Sequence, residues 1–149
     1  MNTLENIRIT LLAQHELLRR HITRARQLAE LWSKKERFRN DLEQCLRDLA
    51  EELTSHNKCE ERLLGDIMPT IDAWGPLRAE AMLDEHMAEH QALAHQLNVA
   101  SRETDARIGA ARLSTMLQTL LEHMENEERT FLSESILSDS LAPRDTFGG

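Results

Sequence analysis

Residues 53–64 read LTSHNKCEERLL, a helical repeat with two polar residues inside it. Leu53, His56, Glu60 and Leu63 follow one another in steps of three and four, the spacing of residues that share one face of an α-helix. On that face His56 and Glu60 stand where the period calls for hydrocarbon. Upstream the stripe runs through Phe38, Leu42, Cys45 and Leu49, and downstream it reaches Ile67. The pattern predicts a helix over about Arg37 to Gly65, ended by Gly65 and Pro69.

Three further segments repeat the pattern. About Thr3 to Lys34 the stripe is Leu4, Ile7, Leu11, His15, Leu18, Ile22, Ala25, Ala29 and Trp32. About Pro76 to Arg102 it is Met82, His86, His90, Leu93 and Leu97, with Pro76 suited to a first helical turn. About Ala110 to Leu132 it is Leu113, Leu117, Leu120, His123, Glu127 and Phe131. Asp66 to Gly75 is expected as a loop joining two halves and Glu103 to Gly109 as a connector. Four amphipathic segments on short connectors bury their stripes together as an all-α, antiparallel up-down-up-down four-helix bundle over residues 1–132. The tail 133–149 is expected to be partly irregular, with a short apolar contact from Ile136 and Leu137.

Composition agrees with this reading. The chain has 149 residues, a single-domain length, with 3% aromatic residues and no Tyr, which favours helix over sheet. A formal charge of −8 and the lack of a long basic run argue against a nucleic-acid partner. Arg19, Arg20, Arg24 and Arg26, and the cluster from Lys34 to Arg39, read as solvated helix faces. Glu5, Arg8 and His15 interrupt the N-terminal leucines, and no run of 18 apolar residues exists, so the protein is expected to be soluble, not exported and not a membrane protein. Cys45 and Cys59 fall in one helix roughly 21 Å apart, too far to pair, and are expected as reduced thiols in a cytoplasmic protein.

The anomaly lies inside the stripes. His15, His56, Glu60, His86, His90, His123 and Glu127 are seven polar residues on apolar seams. A buried polar group without a partner costs about 1–3 kcal/mol, so seven of them would consume a typical domain's stability unless compensated. Five imidazoles against two carboxylates leave excess positive charge if they only pair with one another. A pair of cations resolves the mismatch, because neutral imidazoles donate lone pairs and the carboxylates supply negative charge. His56 and Glu60, His86 and His90, and His123 and Glu127 are each i, i+4 pairs stacked on one helix face. Five histidines, two bridging carboxylates and a bridging oxo or hydroxo group fill all but one position around two six-coordinate ions, which leaves room for a small diatomic ligand or peroxide. Zinc favours closed tetrahedral sites, calcium wants oxygen ligands, and manganese suits more carboxylates, which points to iron. His21 and His95 are expected to face solvent. Glu61 and Glu128 stand at i+5 from their histidines and reach the same point only with a local helix distortion, Glu128 being the alternative to Glu127.

These ordered pieces, QHELLRR around His15, HNKCEERLL from His56, EHMAEHQAL with His86 and His90, and HMENEERTFL from His123, resemble the hemerythrin-like, or HHE cation-binding, family over roughly residues 3 to 132. The resemblance implies a four-helix bundle around a non-haem di-iron centre, with His15, His56, His86, His90 and His123 as terminal ligands and Glu60 and Glu127 as bridges. The oxygen carriers of that family end in His-x4-Asp, whereas this chain has His123-x3-Glu127 with Glu128 next to it, as in the HHE branch. Members of that branch often carry one histidine ligand in the third helix, so one of His86 and His90 is open as a spare. The implied roles are oxygen binding or sensing, oxidative or nitrosative stress and iron homeostasis; the alternative is an enzyme that decomposes hydrogen peroxide or processes nitric oxide. A ferritin-type Glu-x-x-His signature is missing, since Leu12, Leu53, Leu83, Met87 and Leu120 stand three residues before the five histidines.

Overall fold

A computed structural model describes residues 3–70, 76–130 and 132–133 of the chain. Four long helices account for most of it: α1 (Thr3–Lys34), α2 (Arg39–Arg62), α3 (Pro76–Arg102) and α4 (Ala106–Arg129). Among the described residues there is no strand. Each helix packs on two others, α1 on α2 and α4, and α3 on α2 and α4, which closes the square of a four-helix bundle. The α1–α4 contacts run antiparallel. Arg8 Nε donates to the Leu132 carbonyl, Arg19 meets Glu128, Arg26 meets Gln118, and Trp32 lies against Gly109.

The stripes read from the sequence form the interior. Leu11, Leu18, Leu49, Leu117 and Leu120 are fully buried. A Cβ on Gly109 would lie 2.5 Å from Cζ3 of Trp32, so glycine is what lets α4 close on the indole. That indole donates to Glu36 Oε2 at 3.0 Å and carries the Arg39 guanidinium over its face, 4.9 Å from the ring centre.

Two boundaries differ from the sequence reading. The chain does not leave helical geometry at Gly65: α2 passes into a π-type turn, Leu63–Ile67, and a 3-10 turn, Met68–Thr70. Leu63, Leu64 and Met68 are completely buried there, and their burial keeps the chain coiled where a loop was expected from Asp66. α4 begins at Ala106 rather than near Ala110, because Asp105 caps it by accepting from the Arg107 and Ile108 amides at 3.0 and 3.1 Å. Residues 71–75, Phe131 and the tail 134–149 with Ile136 and Leu137 lie outside the described residues.

The interior is not continuous. A large apolar cluster extends from Leu18, Trp32, Leu42 and Leu49 to Leu117 and Met124, and a smaller one joins Leu4, Leu11, Leu63, Leu64, Met68, Ala79 and Leu132. Between them lies a polar layer: His15 between Leu11 and Leu18, His56 and Glu60 between Leu53 and Leu63, and Glu127 between Met124 and Leu132.

Candidate metal centre

Every helix sends polar side chains into this layer. His15, His56, Glu60 and Glu127 are at most 1% exposed, His86 and His90 are 7% and 5% exposed, and the His123 side chain is 8% exposed. The i, i+4 spacing on α2, α3 and α4 places each pair one turn apart on the inward face.

The two carboxylates divide the histidines. Glu127 Oε1 lies 3.0 Å from His15 Nε2 and 3.6 Å from His56 Nε2, and Glu60 Oε1 contacts His56 Nε2 and lies 3.9 Å from His15 Nε2. The other oxygens turn the opposite way. Glu60 Oε2 is 3.1 Å from His90 Nε2, and Glu127 Oε2 is 3.3 Å from His86 Nε2 and 3.2 Å from His123 Nε2. Two donor sets result, His15, His56, Glu60 and Glu127 on one side and Glu60, His90, His123 and Glu127 on the other. In each set the donor atoms lie within 4.8 Å of one another, and the same two carboxylates belong to both. His86 stands beside the second set, its ring 5.8 and 5.7 Å from those of His90 and His123.

The outer nitrogens are engaged by acceptors. His15 Nδ1 donates to Glu128 Oε2 at 2.7 Å, His123 Nδ1 meets Glu89 Oε2 at 2.6 Å, and His90 Nδ1 meets Glu61 Oε1 at 3.3 Å. His56 Nδ1 faces Gln14 Oε1 at 2.9 Å and His86 Nδ1 the Met82 carbonyl at 3.0 Å. Carboxylates and carbonyls only accept, so the proton of each neutral imidazole sits on Nδ1 and the Nε2 lone pair points inward. Five imidazole Nε2 atoms and two carboxylates thus converge on the layer's middle, where hydrogen bonds among themselves satisfy only some of them. The buried atoms Glu60 Oε1, Glu127 Oε2 and His123 Nε2 have no hydrogen-bond partner among the described residues, and His15 Nε2 faces His56 Nε2 at 3.1 Å. Imidazole nitrogens with shared carboxylates are the donor chemistry of a transition-metal pair, so the residues present fit such a group.

Proton affinities show the same demand for positive charge. Burial alone would lower the His15 pKa, but Glu127, Glu60 and Glu128 overcome it and raise it to about 9. His86 is likewise raised to about 9 against burial, by Glu127 and Glu60. His56 and His123 are raised for the same reason. Burial pushes Glu127 upward, yet the neighbouring Glu60, His123, His15 and His56 hold it well below the usual carboxylate range, and the histidines also hold Glu60 down. The layer attracts cations, and protons satisfy it when nothing else does.

The seven residues singled out from the sequence therefore meet in one place, with both His86 and His90 turned inward. Glu127 faces the layer, whereas Glu128 lies on its outside, against His15 Nδ1 and Arg19. His95 is exposed and His21 half-buried, and neither belongs to the donor sets. Sequence reasoning missed Gln14, Met82 and Glu89 as partners of the imidazoles. Their signal was adjacency: Gln14 and Glu89 directly precede seam histidines, and Met82 lies one turn before His86.

No helix among the described residues is long and apolar enough to cross a membrane. Comparison with curated proteins and with solved structures gave no match. A family model, the hemerythrin HHE cation-binding domain, matches residues 6–134. With its helical bundle and its buried histidine and glutamate layer, the chain belongs to the hemerythrin HHE cation-binding domain family.

Proposed function

We propose that this protein holds two non-haem iron ions through His15, His56, His86, His90 and His123, with Glu60 and Glu127 bridging them, and binds a small ligand such as oxygen, peroxide or nitric oxide. The observation that carries the reading is the division of both carboxylates: each turns Oε1 toward His15 and His56 and Oε2 toward the α3 and α4 histidines. When bound, such a pair supplies redox-active ions and a coordination position for a small molecule. His15 and His56 face one side of the two carboxylates and His86, His90 and His123 the other, so the side with fewer histidines is where a small molecule would find room.

The chain's own residues set the conditions there. Apolar clusters above and below exclude bulk water, with Leu11, Leu18 and Leu53 flanking the two-histidine side along α1 and α2. Among the described residues, the acids and bases that face the layer are its own ligand candidates. We place the protein in the cytoplasm on its free cysteines, Cys45 buried and Cys59 half-buried.

Anaerobic loading with iron, followed by oxygen, peroxide and nitric oxide while absorption spectra are recorded, tests the reading. Reversible spectral change with oxygen or nitric oxide is the expected result. Steady oxygen release from peroxide, abolished in His123→Ala, would replace it with the enzymatic alternative.

A further inference from the structure

The acceptors on the outer face of the layer follow a rule. Gln14 of α1 serves His56 of α2, Glu61 of α2 serves His90 of α3, Glu89 of α3 serves His123 of α4, and Glu128 of α4 serves His15 of α1. Each acceptor is the sequence neighbour of an inward-facing residue on its own helix: Gln14 beside His15, Glu61 beside Glu60, Glu89 beside His90 and Glu128 beside Glu127. One residue along a helix is a rotation of about 100°, enough to leave the inward face and meet the adjacent helix.

The direction of that step alternates. On α1 and α3 the acceptor precedes the inward residue, and on α2 and α4 it follows it. Neighbouring helices run antiparallel, so a backward step on one and a forward step on the next turn the same way around the bundle when viewed from one end. All four acceptors therefore point to the next helix in a single sense, and the fourth returns to the first. His86 stands apart, satisfied within α3 by the Met82 carbonyl.

We propose that Gln14, Glu61, Glu89 and Glu128 form a closed ring of positioning residues, each fixing the orientation and Nδ1–H tautomer of an imidazole on the next helix. The ring rests on the metal-binding reading above and deepens it. It ties the site to helix register, since each acceptor meets its imidazole only when two adjacent helices sit at the right relative height. Its firmest link is Glu128, whose carboxylate also accepts from Arg19 Nη2 at 2.9 and 2.5 Å, while Arg19 Nη1 donates to Glu16 Oε1 at 2.8 Å. A carboxylate behind an imidazole strengthens the opposite nitrogen as a ligand, and losing such a partner costs about 10- to 100-fold in metal affinity. Glu128 and Glu89, at 2.7 and 2.6 Å, are expected to matter more than Glu61 at 3.3 Å.

The test uses the full chain and Fe(II) alone, with affinity read anaerobically by chelator competition and the imidazole N–H resonances read by NMR on the Zn(II)-loaded protein. Glu128→Ala and Glu89→Ala should each weaken Fe(II) binding about 10- to 100-fold. Each should shift one Nδ1 proton signal, His15 for the first and His123 for the second. Glu128→Gln and Glu89→Gln keep an acceptor oxygen and should recover most of the affinity, whereas the exposed Glu125→Ala should match the parent. Should an alanine variant fail to fold, the displaced signal of the single facing histidine in the glutamine variant carries the same test. Folded alanine variants within twofold of a metal-binding parent, or unmoved Nδ1 signals, overturn the ring and leave the metal reading intact. A parent that takes up no Fe(II) overturns both.

Discussion

The large apolar cluster from Leu18 to Met124 and the polar layer beside it occupy the same helix seams but hold together by different means. In the cluster, Leu49, Leu117 and Leu120 leave water completely, and that burial stabilises the bundle whatever else is bound. In the layer, five imidazoles and two carboxylates are desolvated on equally tight seams, and Glu60 Oε1 and Glu127 Oε2 find no hydrogen-bond partner among the described residues. One region completes itself; the other is complete only with added positive charge. Structural stability and the groups able to bind metal thus sit in adjacent layers, so the two can be perturbed apart.

The largest effect is expected inside the layer. Glu60→Ala removes a carboxylate shared by both donor sets and should abolish stable binding of one or both ions, while His21→Ala, outside those sets, should bind as the parent does. Metal analysis after gel filtration checks this, and equal loss from both variants would erase the distinction between layer and surroundings. Next comes the cluster. Leu49→Ala should cost about 2–5 kcal/mol of stability by chemical denaturation while leaving metal content per folded chain unchanged. A loss of metal in that variant would mean that the two layers are not separable.

A smaller effect, of opposite sign in the two forms, concerns pH. In the metal-free protein the pKa of His15 rises from 6.5 to about 9 on folding, as does that of His86. A raised histidine stabilises fully below its unfolded value, so this contribution is present below pH 6.5 and fades as pH climbs toward 9. Glu60 and Glu127 are held below 4.5, so their contribution is present above that value and fades on further acidification. The metal-free protein should therefore melt highest between these limits. Ions need neutral imidazoles, so the stabilisation they add should grow as pH rises and vanish on acidification. Melting curves of both forms from pH 5 to 9 should diverge with rising pH, and parallel curves would deny that protons and metal compete for the same nitrogens.

How far the sequence carried the reading follows from what each feature depends on. The four stripes and the seven inward polar residues depend only on helical period, which is local, and so Leu11, His15 and Leu18 could be placed by counting. The π-type turn at Leu63–Ile67 was not legible, because Gly65 and Pro69 are local stop signals and the burial of Leu64 and Met68 that overrides them is tertiary. The Asp105 cap was obscured by the polar run around it, although its type is the one a helix start favours. The split of Glu60 and Glu127 between two histidine groups, and the partners on the outer nitrogens, depend on relative helix height and rotation, which spacing within one helix does not contain.

If positive metal charge completes the polar layer, the iron content of the full chain after anaerobic loading and desalting shows it without intermediate steps. Two irons per chain are expected, and both should be lost together in Glu127→Ala. No retained iron in a fully helical protein would show that protons alone satisfy the layer and would contradict it.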